Sequence, residues 1–237
     1  MSDAPGAAEP ASDADPVADA DPAAVPPPSD RVRVRRKPKR GHYDRATIDA
    51  IFDASIVGHV AWVLDGQPYA TPTNVWRQGD RLYWHGSVGN RMLRAVDGQP
   101  VCVTVTHLDA LVLARSAFNH SVDYRSAMAI GTAHLVTDPD EADAALEAFI
   151  ENLFPGRWRE LRPMTDVERK ATSVLWISLD EASAKIRDEG AHDDEGDETW
   201  PTWAGSIPVR TVTGTPEPDP FVLDGMPAPS ARLPIQG

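Results

Sequence analysis

The feature that most constrains the fold is a series of short strand-like segments joined by tight turns. Residues 57–64 and 67–76 are separated by Asp65-Gly66, which is typical of a two-residue hairpin, and Gln78-Gly79-Asp80 leads to a third segment at 81–85. Strands linked this closely run antiparallel, because a parallel pair needs a long crossover connection. The sequence therefore predicts a mainly β protein with an antiparallel β-barrel rather than an alternating βαβ sheet.

Further strands and a few helices are predicted along the rest of the chain. The helices cover 45–54, 91–96 and 139–154, and the last follows an Asp138 N-cap. The strands cover 100–108, 111–118, 126–136 and 172–179, with a polar loop at 119–125. Pro68 and Pro72 cannot donate a ladder hydrogen bond, so they indicate a bulge, an edge or a stretch that faces a ligand. The prediction is six to seven antiparallel strands.

One folded domain is predicted between two segments of unusual composition. Residues 1–30 carry no Lys, Arg, Leu, Ile or aromatic side chain, so they cannot bury enough apolar surface to fold. We predict a disordered arm at 1–40, acidic and then basic, a domain at 41–210 and a Pro-rich tail at 211–237. No apolar run is long enough to span a bilayer and the arm lacks signal-peptide features, which favours a soluble, cytoplasmic protein.

Charge and cysteine content exclude several classes of function. The net charge of −13 argues against a nucleic-acid-binding domain. Residues 31–40 carry seven positive charges and could contact nucleic acid or anionic lipid, but a solvated linker that pairs with the preceding acidic residues is the simpler interpretation. Cys102 is the only cysteine, which excludes an intrachain disulfide, and its apolar neighbours predict a small buried side chain. No metal site is predicted, since His107 with Asp109 is interpreted as solvated charge.

Three segments place polar or small residues where a plain barrel would have apolar ones. They are YATPTN at 69–74, WHGSVGNRML at 84–93 and HSVDYRSAMAIG at 120–131. In the second, a strand ends in a glycine-containing loop and a helix begins with Arg91. Helix N-terminal N–H groups, close backbone approach at glycine and a guanidinium together favour an anion site. An ordinary capped strand–turn–helix is the alternative.

These segments together resemble the FMN-binding split-barrel family of pyridoxamine 5′-phosphate oxidase and its relatives. The chain is most similar to the branch of flavin-nucleotide-binding and nitroimidazole-reductase-like proteins. The resemblance extends over 43–208 and includes GHVAW, PYATPTN, LYWHGS, VCVTVT, LVLARSAF, HSVDYRSAMAIG, SAKIR and WAGSIP. It implies a homodimer with FMN bound across the barrel strands at the dimer interface. From the hydropathy we expect no membrane partner, and the charge argues against a nucleic-acid partner.

The resemblance also implies a set of cofactor-binding residues. Five would line the flavin ring: Ala70, Thr71, Pro72, Thr73 and Asn74. Five would flank the ribityl chain and hold the phosphate: His85, Gly86, Ser87, Asn90 and Arg91. Four would approach from the second subunit: Tyr124, Arg125, Ser126 and Trp203.

The function implied is flavin-dependent redox chemistry on a small molecule of the nitro-compound or quinone type. Residues 206–209 lack the arginine and histidine that bind substrate in the oxidase, which argues against pyridoxamine phosphate oxidase activity. His85 is a candidate proton donor, although a histidine at a strand end also commonly hydrogen-bonds a ligand or the backbone. Three alternatives stay open: the deazaflavin F420 as cofactor, a flavin or haem carrier or sensor without turnover, and a structural dimer that has lost its cofactor.

Overall fold

Antiparallel strands dominate the computed structural model, which describes residues 25–223 and 225–229. The strands are β1 Gly41–His42, β2 Val57–Leu64, β3 Gln67–Gln78, β4 Arg81–Ser87, β5 Pro100–Leu113, β6 Ser121–Thr132, β7 His134–Leu135, β8 Thr172–Ser178, β9 Ala182–Arg187 and β10 Gly205–Pro208. The helices are α1 Arg45–Asp53, α2 Arg91–Val96, α3 Pro139–Leu153 and α4 Asp166–Ala171. Seven strands have six residues or more, which confirms the predicted number, and three short ones add to them.

The strands form one continuous antiparallel order, β1-β9-β6-β5-β2-β3-β4-β8-β7, and β10 pairs with the second half of β5. The β2–β3 hairpin closes at Asp65 and Gly66, whose φ angles of 52° and 77° are the positive values that a two-residue turn of this type requires. The predicted mainly β architecture with a few helices is confirmed and is that of a split barrel. Among the described residues, no helix is long and apolar enough to span a membrane.

Two apolar cores lie on opposite faces of β4. Inside the barrel, Leu82 and Trp84 are fully buried with Val60, and Phe52 of α1 closes one end. On the outer face, Tyr83 packs beneath α3 together with other apolar side chains of the second core, including Trp76, Ala145, Leu146 and Val174. Each large side chain buried in this way contributes about 1.5–3 kcal/mol. The second core fixes α3 against the strand that leads into α2.

The structure corrects the predicted strands between 100 and 136. Residues 100–113 form one strand, because the irregularity at Leu108/Ala110 is a bulge within β5 and not a turn. The predicted loop 119–125 is wrong beyond residue 120, because β6 begins at Ser121. Its polar character has a structural cause: Asp123 is buried and paired with Arg187, so a core position carries an acidic residue.

Cys102 also differs from its prediction. It is only partly buried, because it lies on the outer face of β5 between the buried Val101 and Val103. The burial that it does have raises the pKa of its thiol. The side chain is therefore not part of the barrel core.

Residues 31–40 are mostly exposed, as a solvated linker would be, but Val32 is buried and anchors the segment to the folded domain. Val32 is 1% exposed, and the N–H of Val34 donates to the hydroxyl of Tyr43 at 2.7 Å. Arg31 and Arg40 pair with Glu181 and Glu189, which follow the distant strands β8 and β9. The exposed Arg33 and Arg35 pair with Asp30, the acidic neighbour that the sequence indicated.

The structure describes the two terminal segments of the chain only in part. The predicted disorder of the acidic arm concerns mainly residues 1–24, which lie outside the described residues. Residues 211–223 and 225–229 form no helix or strand and are exposed, and Phe221 is an example. The domain boundaries at 40 and 210 stay predictions.

Candidate functional site

β3 and β4 separate halfway along their length, and this split positions most of the predicted cofactor residues. β3 pairs with β2 as far as Asn74, and only from Val75 onward does it pair with β4. The β3–β4 register ends at Val75 opposite Trp84. Extending that register by one residue would bring Asn74 opposite His85, but no pair forms there. Residues 70–74 and 85–87 therefore form the two edges of the split.

The β3 edge presents small side chains on its outer face. Ala70 and Pro72 are exposed, while Thr71 and Thr73 alternate to the opposite face. Thr71 is already engaged there, because its hydroxyl accepts a hydrogen bond of 3.0 Å from Nε1 of Trp62. Within the described sheet this half of β3 has a partner strand on one side only, which explains why prolines are tolerated in it.

The β4 edge continues into the bend that leads to α2. Oγ of Ser87 accepts from the N–H of Gly89 at 3.2 Å, and Oδ1 of Asn90 accepts from the N–H of Met92 at 2.8 Å. Asn90 is therefore the N-cap of a helix of six residues. The backbone of the bend is therefore that of an ordinary capped strand–turn–helix. The cationic group that could bind an anion at this bend is the side chain of Arg91.

Arg91 spans the split from α2 to the β3 edge. Its guanidinium carbon lies 4.6 Å from the ring centroid of Tyr69 and 5.8 Å from that of Trp62. The two rings stack with centroids 4.7 Å apart. Among the described residues Arg91 forms no ion pair with a carboxylate, so cation–π contact positions the charge without neutralising it. A charge held in this way can bind an anion with both of its outer nitrogens.

His85 lies beside the split on the face that packs against α3. Its ring centroid is 5.6 Å from that of Trp76 and 5.1 Å from that of Phe149. Burial lowers the pKa of His85, which favours the neutral imidazole near pH 7. Its Nδ1 is buried, and no described residue hydrogen-bonds to it. The sequence did not indicate Phe149, because its only signal is the ordinary apolar spacing of a surface helix.

The structure does not bring the other predicted residues to the split within one protomer. β6, which carries Tyr124, Arg125 and Ser126, is separated from β3 by β5 and β2. Arg125 pairs with Asp109 at 2.8 Å, and the hydroxyl of Ser126 donates to a backbone carbonyl on β9 at 3.2 Å. Trp203 precedes β10 and is 61% exposed. Their predicted approach from a second subunit stays a prediction.

Comparison with known proteins gives a consistent group of relatives. The family model described as pyridoxamine 5′-phosphate oxidase matches residues 44–186. The flavocytochrome Anf3 from Azotobacter vinelandii is 44% identical, with a TM-score of 0.82 over 86% of this chain and 95% of its own. The FAD and heme binding protein from Mycobacterium smegmatis is 37% identical, with a TM-score of 0.76 over 80% of this chain and 94% of its own.

A more distant structure shares only the fold. It is a 5-nitroimidazole antibiotic resistance protein from Bacteroides thetaiotaomicron, 22% identical, with a TM-score of 0.51 over 62% of this chain and 86% of its own. No curated protein sequence matches the chain.

Proposed function

Since the chain belongs to the pyridoxamine 5′-phosphate oxidase family, we propose that it is a redox protein that binds a flavin and a haem. The observation that carries the proposal is the pair of relatives that are 44% and 37% identical over most of both chains, one a flavocytochrome and one an FAD and haem binding protein. When bound, the flavin supplies one- or two-electron transfer and the haem supplies one-electron transfer. The chain's own residues would bind and orient these groups.

The split between β3 and β4 fits the flavin. Arg91 offers an unneutralised guanidinium held over Tyr69, which would bind a flavin phosphate. The side chains of Ala70 and Pro72 are small and exposed, so that a flat ring could lie against the outer face of β3. Thr73, Asn74, Gly86 and Ser87 complete the two edges. The sequence predicted the mononucleotide FMN. We instead propose the dinucleotide FAD, because the relative that is 37% identical is an FAD binding protein.

A homodimer is part of the proposal. Leu111, Val122 and Ile207 are neighbours on three adjacent strands, and each side chain is more than a third exposed. An apolar patch of this kind on a sheet face is typical of an interface. A second copy would also bring Trp203, Tyr124 and the rest of the β6 segment toward a cofactor that one protomer alone leaves uncovered.

The substrate proposed from the sequence is a small organic molecule, such as a nitro compound or a quinone. Residues 206–209 offer no cationic side chain for a phosphorylated substrate, and Ser206–Pro208 are occupied as β10 in pairing with β5. We therefore propose an uncharged electron acceptor rather than a pyridoxamine phosphate.

Spectroscopy of the purified full-length protein tests the proposal. A flavin gives absorbance maxima at roughly 370 and 450 nm, and a haem gives an intense Soret band at roughly 400–420 nm. Mass determination of the acid-released flavin separates FAD from FMN. Reconstitution with FAD, FMN and haem is the control for cofactor loss during purification. A protein that stays colourless after all three would refute the proposed function.

A further inference from the structure

We propose that Nε2 of His85 is an axial ligand of the haem iron, an inference that rests on the proposed haem binding. A histidine that ligates iron needs a neutral imidazole with one nitrogen accessible, set in surroundings that shelter the porphyrin from water. His85 is partly buried between two aromatic rings, and no described residue hydrogen-bonds to its Nε2.

The other well-buried histidine is already used by the fold. His107 is 7% exposed, and its Nε2 lies 2.9 Å from Oγ of Ser55 and 3.1 Å from the carbonyl oxygen of Ile51. Both contacts tie β5 to α1 and leave that nitrogen with no free lone pair for a metal. His107 is a structural histidine.

Two exposed histidines have a ring nitrogen accessible but lack the apolar surroundings. His120 is exposed, and its Nδ1 contacts the carbonyl oxygen of Ser116 at 2.8 Å. His59 is exposed on the outer face of β2 opposite Pro72. No aromatic ring of a described residue stacks on either imidazole. A porphyrin at these positions would stay open to water on the protein's own side.

The surroundings of His85 are aromatic and partly unsatisfied. Trp76 contacts the imidazole edge-to-face and Phe149 tilts across it, with those two rings 5.0 Å apart. Nδ1 of His85 and Nε1 of Trp76 are both buried without a hydrogen-bond partner among the described residues. Neither of these two atoms would contact an iron bound at Nε2, so the support for a haem comes from the aromatic rings, which supply the apolar surroundings that a porphyrin needs.

The β3–β4 ladder ends beside His85. Asn74 would lie opposite His85 if the β3–β4 ladder continued, but the ladder stops at Val75. On its β3 side, β4 therefore has no partner strand at His85, whereas β8 pairs with it on the other side, Val174 opposite His85. Nδ1 is enclosed, so Nε2 is the ring nitrogen available to a ligand, and no hydrogen bond engages it within the described chain.

Variants of His85 in the full-length protein, expressed with haem supplied, test the assignment. We compare wild type with His85→Ala and His85→Met, using His59→Ala and His120→Ala as matched controls. The readouts are the haem-to-protein ratio, the Soret position and the electron paramagnetic resonance spectrum, with flavin content as an internal control. We expect His85→Ala to weaken haem binding more than about tenfold, since even the loss of a group that supports a ligand costs 10–100-fold.

Two additional measurements separate ligation from a structural role. Added imidazole should restore the wild-type Soret spectrum to His85→Ala, and His85→Met should shift that spectrum while circular dichroism stays unchanged. An unchanged wild-type spectrum in both His85 variants would overturn the assignment, as would loss of the spectrum in either control. Loss of flavin and haem together in both His85 variants, without imidazole rescue, would also overturn it. A wild-type protein that binds flavin but no haem would overturn the proposed haem function itself.

Discussion

The buried ion pair between Asp123 and Arg187 gives the sharpest test of how β6, β9 and the following loop are held together. The two residues are 7% and 6% exposed. Arg187 also donates to the carbonyl oxygen of Gly190 at 2.9 Å, and the N–H of Gly190 donates to Asp123 at 3.3 Å. Asp123→Asn keeps the shape of the side chain but removes its charge, which leaves the buried Arg187 guanidinium with only the half-exposed Glu189, 4.0 Å from its Nε, as a counter-charge.

The expected cost follows from that burial. Removing one partner of a buried ion pair costs about 3–5 kcal/mol, and we expect the lower end because the amide oxygen of Asn can still accept a hydrogen bond. For a chain of this length about 3 kcal/mol lowers the Tm by roughly 6–12 °C. The matched control is Asp109→Asn, which breaks an ion pair with Arg125 whose two side chains are 34% and 32% exposed. That pair should be worth about 0–1 kcal/mol.

The assay is urea unfolding followed by circular dichroism, at one protein concentration and with cofactor saturating, because bound ligand adds to apparent stability. The double variant Asp123→Asn/Arg187→Met removes the stranded charge and should be more stable than Asp123→Asn alone. If Asp123→Asn costs no more than Asp109→Asn, or if the double variant shows the sum of the single effects, our account of this pair is wrong.

Three further predictions concern the flavin site, the N-terminal segment and the response to pH. Arg91→Ala should weaken flavin binding about 10–100-fold in a titration with the fold retained, because a charge-assisted hydrogen bond is worth about 1.5–3 kcal/mol. The control Arg94→Ala, on the same short helix, should leave flavin binding unchanged. Val32→Ala should lower the free energy of unfolding by about 1–2 kcal/mol, since it removes two buried carbon groups, and no change would show that the packing of residues 31–40 adds no stability. In the cofactor-free protein, where no iron occupies Nε2, the lowered pKa of His85 means that the unfolded state takes up a proton first as the pH falls below about 6.5, so stability should decline there. His85→Phe should flatten this decline in urea titrations of the cofactor-free protein at successive pH values, and parallel curves would exclude His85 as its source.

Local chemistry explains the parts of the fold that the sequence predicted well. The hairpin at Asp65-Gly66 requires positive φ at two successive positions, and few residue pairs adopt it. The start of α3 at Asp138 and the bend before α2 depend on side chains that cap the backbone within two residues. Turns and caps of this kind depend only on residues that are close together in the sequence. They were sufficient to predict the three successive strands β2, β3 and β4 with the turns between them, and the glycine-containing bend before α2.

Contacts between distant residues decided the rest. Asp123 belongs to a strand because Arg187, 64 residues later, neutralises it inside the protein, and its own neighbours in sequence indicate only a polar loop. Arg31 is held against the barrel by Glu181, 150 residues later. Phe149 reaches His85 only because α3 packs on the outer face of β4. The character of each of these side chains is visible in the sequence, but their partners become neighbours only when the chain folds. For the buried Asp123 and Arg187 the pairing is required, since a buried charge is too costly to leave unpaired.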